Sequence, residues 1–267
     1  MAAALELATR IEPLLPDRTP KRGGRWRDHR QVIDVIAFKY RTGTPWTDLP
    51  ERFGSRKGAH NRLRKSAANG TSEKVFTALL ARADAEGDLD RAVAVAVDST
   101  IVRAHHHATG AHRKGAPAGK PHDRALVRSR GGPTTKILLA ADGRCRPLGF
   151  VVTPGQAGDA PAFVRVMGRL RVARPTGRPR TTPDLLLAAK AYSYRAIRSH
   201  PRRRGIRTVI PQPADQAANR KRLANRGGRP PAFDRKTCRQ RNTVEPCINK
   251  LKQWRGLATR YDKTATI

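Results

Sequence analysis

Two carboxylates stand where the surrounding sequence is apolar. Asp98 ends the alternating run RAVAVAVD (residues 91–98) and is followed by Ser99 and Thr100. Glu245 adjoins the stripe of Val244, Ile248 and Leu251 in NTVEPCINKLKQWR (residues 242–255), with Lys252 two turns further along the same helical face. Hard divalent cations such as Mg2+ take carboxylate oxygens. A pair of such ions about 4 Å apart activates a hydroxyl and stabilises the leaving oxygen of a phosphodiester. Both residues are therefore candidates for catalysis and for metal ligation. Each also has a plainer reading, Asp98 as a strand-end aspartate held by backbone donors and Glu245 as a first-turn glutamate that complements the helix dipole.

The charge balance says what such a site would meet. Lys and Arg number 55 against 21 Asp and Glu, a formal net charge of +34 over 267 residues. A compact chain so charged repels itself, and the expected partner is a polyanion, nucleic acid before an anionic membrane surface. No stretch approaches the roughly 18 uninterrupted apolar residues of a membrane-spanning helix. The start, MAAALELATRIEPLLP, has acidic residues within its apolar part and no cleavage-type signal. Cys145, Cys238 and Cys247 form no CxxC pair, which argues against a disulfide framework or a zinc ribbon and for a reducing cytoplasm. The cysteines read as small buried or half-exposed side chains, and Trp46 and Trp254 as packing aromatics. His105, His106, His107, His112 and His122 could bind Zn2+ or Ni2+; proximity to nucleic-acid phosphates explains the same cluster.

The elements that must position these residues follow from periodicity. Gln31 to Arg41 places Val32, Ile33, Val35, Ile36 and Tyr40 at helical spacing. Lys57 to Lys65 forms a short basic helix and Glu73 to Arg82 another amphipathic one, so residues 1–85 read as a small helical unit of helix-turn-helix type or a plain three-helix packing unit. The period then changes. Strands are expected at Arg91 to Asp98, Thr134 to Ala140 and Leu148 to Thr153, the last two joined at Asp142-Gly143. A helix over Ala160 to Leu170 follows, with Asp159 as its N-cap. A strand at Asp184 to Ala188, a helix near Tyr194 to Arg204 and a strand at Ile206 to Ile210 complete the order β, β, β, α, β, α, β, α. That is the order of an α/β fold of RNase H-like type, a mixed sheet flanked by helices. Residues 105–130 and 215–235 are basic and aperiodic and should be mobile until a polyanion orders them.

The stretch from Arg241, R-x-x-x-E with Lys252 seven residues beyond Glu245 and QWRGLATRYDK after it, resembles the C-terminal signature of DDE transposases of the bacterial insertion-sequence-five group. RTGTPWTDLPERFG (residues 41–54) resembles that group's N-terminal region, and VDSTIVRAH (97–105) its first catalytic strand. RSRGGPTTKI (128–137), TPGQAGDAPAF (153–163), RRRGIRTVIPQPADQAANR (202–220) and RGGRPPAFDR (226–235) match its usual text. The resemblance covers nearly the whole chain.

It implies a helical DNA-binding unit over residues 1–85 and an RNase H-like catalytic unit over 91–267 with a basic insertion at about 212–240. Terminal inverted repeats and target DNA would be the partners, with a homo-oligomer formed on DNA in the nucleoid. The family's first Asp falls on Asp98 and its Glu on Glu245, which would ligate Mg2+, two ions being expected. Arg241, Lys252, Lys190, Arg103, Arg128 and Arg130 would hold DNA. The second Asp belongs in the phrase that here reads LLLAAKAYSYRA, and Ala189 holds its place. A methyl group ligates no metal, so strand cutting and rejoining should be impaired and the second ion weakened. Asp184, at the other end of the same strand roughly 16 Å away, is too far to substitute. Asp159 is read as a cap. Cys238 stands where the family has Tyr, Pro246 replaces a basic residue, Thr71 and Ser72 stand where a Trp is expected, and TATI falls short of the family's last helix turns. A DNA-binding remnant without catalysis and a structural RNA-binding protein are the rival readings.

Overall fold

The computed structural model describes residues 9–17, 19, 26–89, 94–109, 125–129, 131–174 and 176–263. The first helices form where the periodicity places them. In α1 (His29–Thr42) the Asp28 carboxylate accepts from the amides of Arg30 and Gln31, and Gly43 ends the helix in the left-handed region at φ +75°. Helix α2 (Arg56–Ala68) is capped by Ser55 and buries only Ala59, which leaves its basic side chains outside. Helix α3 (Thr71–Ala85) sends Leu80 and Phe76 towards the sheet.

The sheet is built around β1 (Ala94–Ala104). On one side β1 runs antiparallel to β3 (Gly132–Ala141), whose outer edge carries β2 (Val127–Ser129) and β4 (Pro147–Pro154). On its other side it runs parallel to β5 (Leu185–Ala188), which in turn pairs with β6 (Arg207–Val209) in parallel. The order β4-β3-β1-β5-β6, three antiparallel strands joined to two parallel ones, is that of an RNase H-like fold. Among the described residues no helix is long and apolar enough to cross a membrane.

Strand β1 does not stop at Asp98. Ser99, Thr100, Ile101 and Val102 continue the ladder with β3 as far as Arg103 opposite Thr134, so Asp98 sits mid-strand opposite Leu139. The β-branched residues after Asp98 keep the strand extended.

Alternation along β1 divides the core. Val95 and Val97 face Phe163, Val166 and Met167 of α4 (Asp159–Arg169), while Ala96 faces Val244, Cys247 and Ile248 of α7 (Val244–Lys252). Each large apolar side chain buried in these layers contributes roughly 1.5–3 kcal/mol. Between α4 and α7 along the chain come α5 (Arg195–Arg203) and α6 (Ala214–Arg222). The segment 215–235, expected to lack structure, contains most of α6, a 3-10 turn at Ala224–Gly227 and an aspartate cap at Asp234 for the helical turn Arg235–Arg239. Helix-forming Ala217 and Ala218 and the Arg220–Gln212 hydrogen bond give α6 local support although it buries nothing.

After α7 the chain makes a helical turn at Arg255–Ala258 and a short strand, β7 (Thr259–Arg260), parallel to the far end of β1. This segment lies against α1. A Cβ on Gly256 would be 2.9 Å from the Tyr40 Cα. The fully buried Lys39 has its ammonium 4.0 Å from Asp262 and over the rings of Tyr40 and Tyr261. Trp46 packs beside Lys39 and His60, and Trp254 beside Arg41, as expected of packing aromatics.

Candidate active site

Asp98, Arg241 and Glu245 converge on the α7 face of the sheet. The Arg241 guanidinium lies 3.5 Å from Asp98 Oδ2 and 3.7 Å from Glu245 Oε1. Glu245 and Arg241 are one helical turn apart, across the junction of the 3-10 turn Gln240–Thr243 with α7. Pro246 falls in the first turn of α7, where its missing N–H has no intrahelical partner. Burial pushes the Asp98 carboxyl above the usual carboxylate range, with Glu245 and Asp159 adding to the rise and the Ser99 amide and Arg241 opposing it. Glu245 is exposed.

Ala189 follows the last residue of β5. The parallel ladder ends with Val97 opposite Ala188, so Asp98 and Ala189 are each the next residue along their chains. The Ala189 methyl is half-buried and packs against the core layer under α4. Asp98 and Glu245 together offer oxygen donors suited to a hard divalent cation. The adjoining third position offers none.

Asp159 departs from its expected role. Gly158, in an extended conformation, is the N-cap of α4, and Asp159 is the first helical residue with no capping bond. Its carboxylate instead accepts from the Ser99 hydroxyl at 3.1 Å and from the Lys136 ammonium at 2.9 Å. With Gly158 as the extended N-cap, Asp159 is left to turn to Ser99 and Lys136 on the α4 side of the sheet. Lys136, a single charge within TTKILLA, was the sequence signal for this contact. The buried Tyr192 faces Ser99 and Asp159, and burial holds its hydroxyl in the neutral form. No pattern in the sequence pointed to it.

The basic candidates are dispersed. Lys252 is half-buried, its ammonium 3.5 Å from the Ile101 carbonyl. Lys190, beside Ala189, is exposed, as are Arg103 on β1 and Arg128 on β2. Arg130 lies outside the described residues. Asp184 is paired with Arg180 at 2.7 Å, and the buried Asp142 holds the β3–β4 turn by accepting from the amides of Arg144 and Arg146. His105, His106 and His107 bring their ligand atoms within 4.8 Å of one another at the end of β1, while His112 and His122 lie outside the described residues. All three cysteines are free, Cys247 buried and Cys145 and Cys238 partly so.

Comparison with known proteins gives the family of the chain. Residues 6–76 match the family described as a putative transposase of the IS4/5 family. A protein of Sinorhizobium fredii, named "Uncharacterized protein y4sN", is 34% identical over 104 residues, which are 39% of this chain and 78% of that protein. The "Insertion element IS402 uncharacterized 16.2 kDa protein" of Burkholderia cepacia is 38% identical over 105 residues, 37% of this chain and 71% of its own length. Among solved structures, the Mos1 transposase paired-end complex with left transposon end is 14% identical, with 96% of this chain and 86% of that chain covered and a TM-score of 0.26. The Mos1 Strand Transfer Complex is 13% identical, with 94% and 83% covered and a TM-score of 0.27. Residues 90–267, the whole sheet and both carboxylates included, match the family described as Transposase DDE domain, and the chain belongs to that family.

Proposed function

We propose that the protein is an insertion-sequence transposase in which residues 1–85 and the basic surface hold terminal inverted repeats, and residues 91–267 carry a cutting and rejoining site weakened by Ala189. The observation that carries this reading is the convergence of Asp98 and Glu245 on one face of the sheet, with alanine at position 189 just past the last β1–β5 pair. Transposases of the DDE family work with divalent metal ions, and Mg2+ bound by Asp98 and Glu245 would supply Lewis-acid activation of the scissile phosphate.

The chain's own residues do the remaining work. Arg241 lies between the two carboxylates, where it neutralises them before DNA arrives and can turn to a phosphate oxygen afterwards. Lys190, Arg103, Arg128, Arg130 and Lys252 hold the backbone, and the exposed basic face of α2 extends that grip to the N-terminal helices. Pairing two element ends calls for more than one copy of the chain.

The test compares cleavage of a duplex bearing the element's terminal repeat by the wild-type chain and by Ala189→Asp, each with Mg2+. The expected result is little cleavage by the wild type and cleavage by Ala189→Asp that Glu245→Gln abolishes. Efficient cutting by the wild type would refute the impairment. A second reading, a DNA-binding remnant able to occupy ends without cutting them, draws on the same methyl group. It is favoured if neither chain cuts and both prefer terminal-repeat DNA to scrambled DNA at moderate salt.

A further inference from the structure

Asp98 and Ser99 are adjacent on β1 and face opposite sides of the sheet. Asp98 points to α7 with Arg241 and Glu245, and Ser99 points to α4 with Asp159. Ser99 joins the two sides. Its amide donates to Asp98 Oδ1 at 2.8 Å, and its hydroxyl donates to Asp159 Oδ2 at 3.1 Å. The β1–β5 ladder ends at Val97 opposite Ala188, which leaves the Ser99 amide free of that strand and available to the carboxylate.

Asp159 is itself fixed. Lys136 donates to its other oxygen at 2.9 Å and to the Ala157 carbonyl at 2.8 Å. The side chains of this ion pair are only 15% and 21% exposed, so both are largely shielded from water. The loop before α4 can lie this low because residue 155 is glycine, since a Cβ there would sit 2.0 Å from Thr134 Oγ1. Fully buried Tyr192, in the turn after Ala189, closes the cluster from the β5 side.

We infer that Asp159 and Lys136 are positioning residues for the proposed metal site, acting through Ser99 to fix the direction in which Asp98 presents its carboxylate. The simpler account, an ion pair that merely ties α4 to the sheet, leaves the Ser99 amide contact unused. A hydroxyl clamped on one face sets the peptide plane whose N–H holds the carboxylate on the other. This is the outer-shell support that metal-binding carboxylates require, and its loss elsewhere weakens metal affinity about 10–100-fold.

The inference rests on Asp98 as a metal ligand, and two readouts keep the two ideas separable. The first is the residue-99 amide proton resonance of the metal-free, 15N-labelled full chain. In Asp159→Asn and in Lys136→Met it should move upfield, towards its position in Asp98→Ala. An amide unmoved in both variants overturns the inference whatever the metal does. The second readout is Mn2+ affinity, measured with the thermal midpoint. Affinity should fall about tenfold in Ser99→Ala and Asp159→Asn and persist in Ser99→Thr, with midpoints close to wild type. Affinity that falls only in step with the midpoint, with no rescue by threonine, assigns the cluster a structural role and overturns the inference. If the amide moves as expected but Mn2+ binds wild type and Asp98→Ala alike, the positioning is upheld and the metal reading of Asp98 fails.

Discussion

Asp98 and Ala189 each stand one residue beyond the last rung of the β1–β5 ladder, which begins with Ala94 opposite Leu185 and ends with Val97 opposite Ala188. The half-buried methyl group at 189 packs against the core layer under α4. The backbone at 189, with φ −68° and ψ 164°, is the N-cap of the turn Lys190–Tyr192, a position that suits aspartate.

It follows that Ala189→Asp should fold, yet in chelator it should lose on the order of 1 kcal/mol, because a third carboxylate is brought near Asp98 and Glu245. For a chain of this size that lowers the melting temperature by about 2–4 °C. Mg2+ or Mn2+ should raise the midpoint of Ala189→Asp more than that of wild type. Equal metal-induced shifts in differential scanning calorimetry would contradict this.

Gly256→Ala should destabilise the protein by about 1–3 kcal/mol, since overpacking at a tight contact forces backbone movement. The new methyl would meet the Tyr40 Cα and Cδ1, each at 2.9 Å. Gly168→Ala, where nothing lies within 4 Å, is the control and should be neutral or slightly stabilising. Urea denaturation of the two variants measures the difference.

Burial holds the Cys247 thiol protonated, pushing its pKa up from 9.0 to about 11. The sign of the pH effect follows from proton counts. Between pH 9 and 11 the unfolded chain releases this proton while the folded chain retains it, so stability falls as pH rises through that window. Across that window the loss is about 2 kcal/mol. In Cys247→Ala the loss of stability from pH 9 to pH 11 should be smaller by about that amount. Parallel stability-versus-pH curves for the two proteins would contradict the assignment.

Binding to duplex DNA should weaken steeply with salt, and the exposed cations Arg103, Arg128 and Lys190 should each account for part of the slope. Replacing any one by alanine should reduce the slope of log affinity against log salt by up to about 0.9, if that side chain neutralises one phosphate. Neutralising the exposed Glu86, which pairs with Arg82 on α3, should leave the slope unchanged. Fluorescence anisotropy over a salt series provides the measurement.

The sheet was legible because its strands are apolar and alternate, and the order of elements along the chain already matched the fold. Asp98 and Glu245 were legible for the same reason, as acidic residues beside apolar ones. Four features were not. Asp159 looked like a cap, since a one-residue shift to Gly158 leaves no trace in composition. Tyr192 lies in a turn whose burial depends on α4 folding over it. Strand β7 is two residues long and forms only because the helical turn before it docks on α1, so no local period announces it. Segment 215–235 lacked any apolar period because α6 buries nothing, and its helix rests on local propensity and side-chain contacts.

The docking of residues 255–262 against α1 also bears on synthesis. During translation α1 leaves the ribosome with the surface around Lys39 and Tyr40 uncovered, and it stays so until more than two hundred further residues have been made. Asp262, Tyr261 and Gly256 then arrive to cover it. A contact of such sequence separation closes late. The N-terminal helices thus acquire their final neighbours only after Asp98, Asp159 and Glu245 have all emerged, and a nascent chain cannot present the completed arrangement before the whole site has been synthesised.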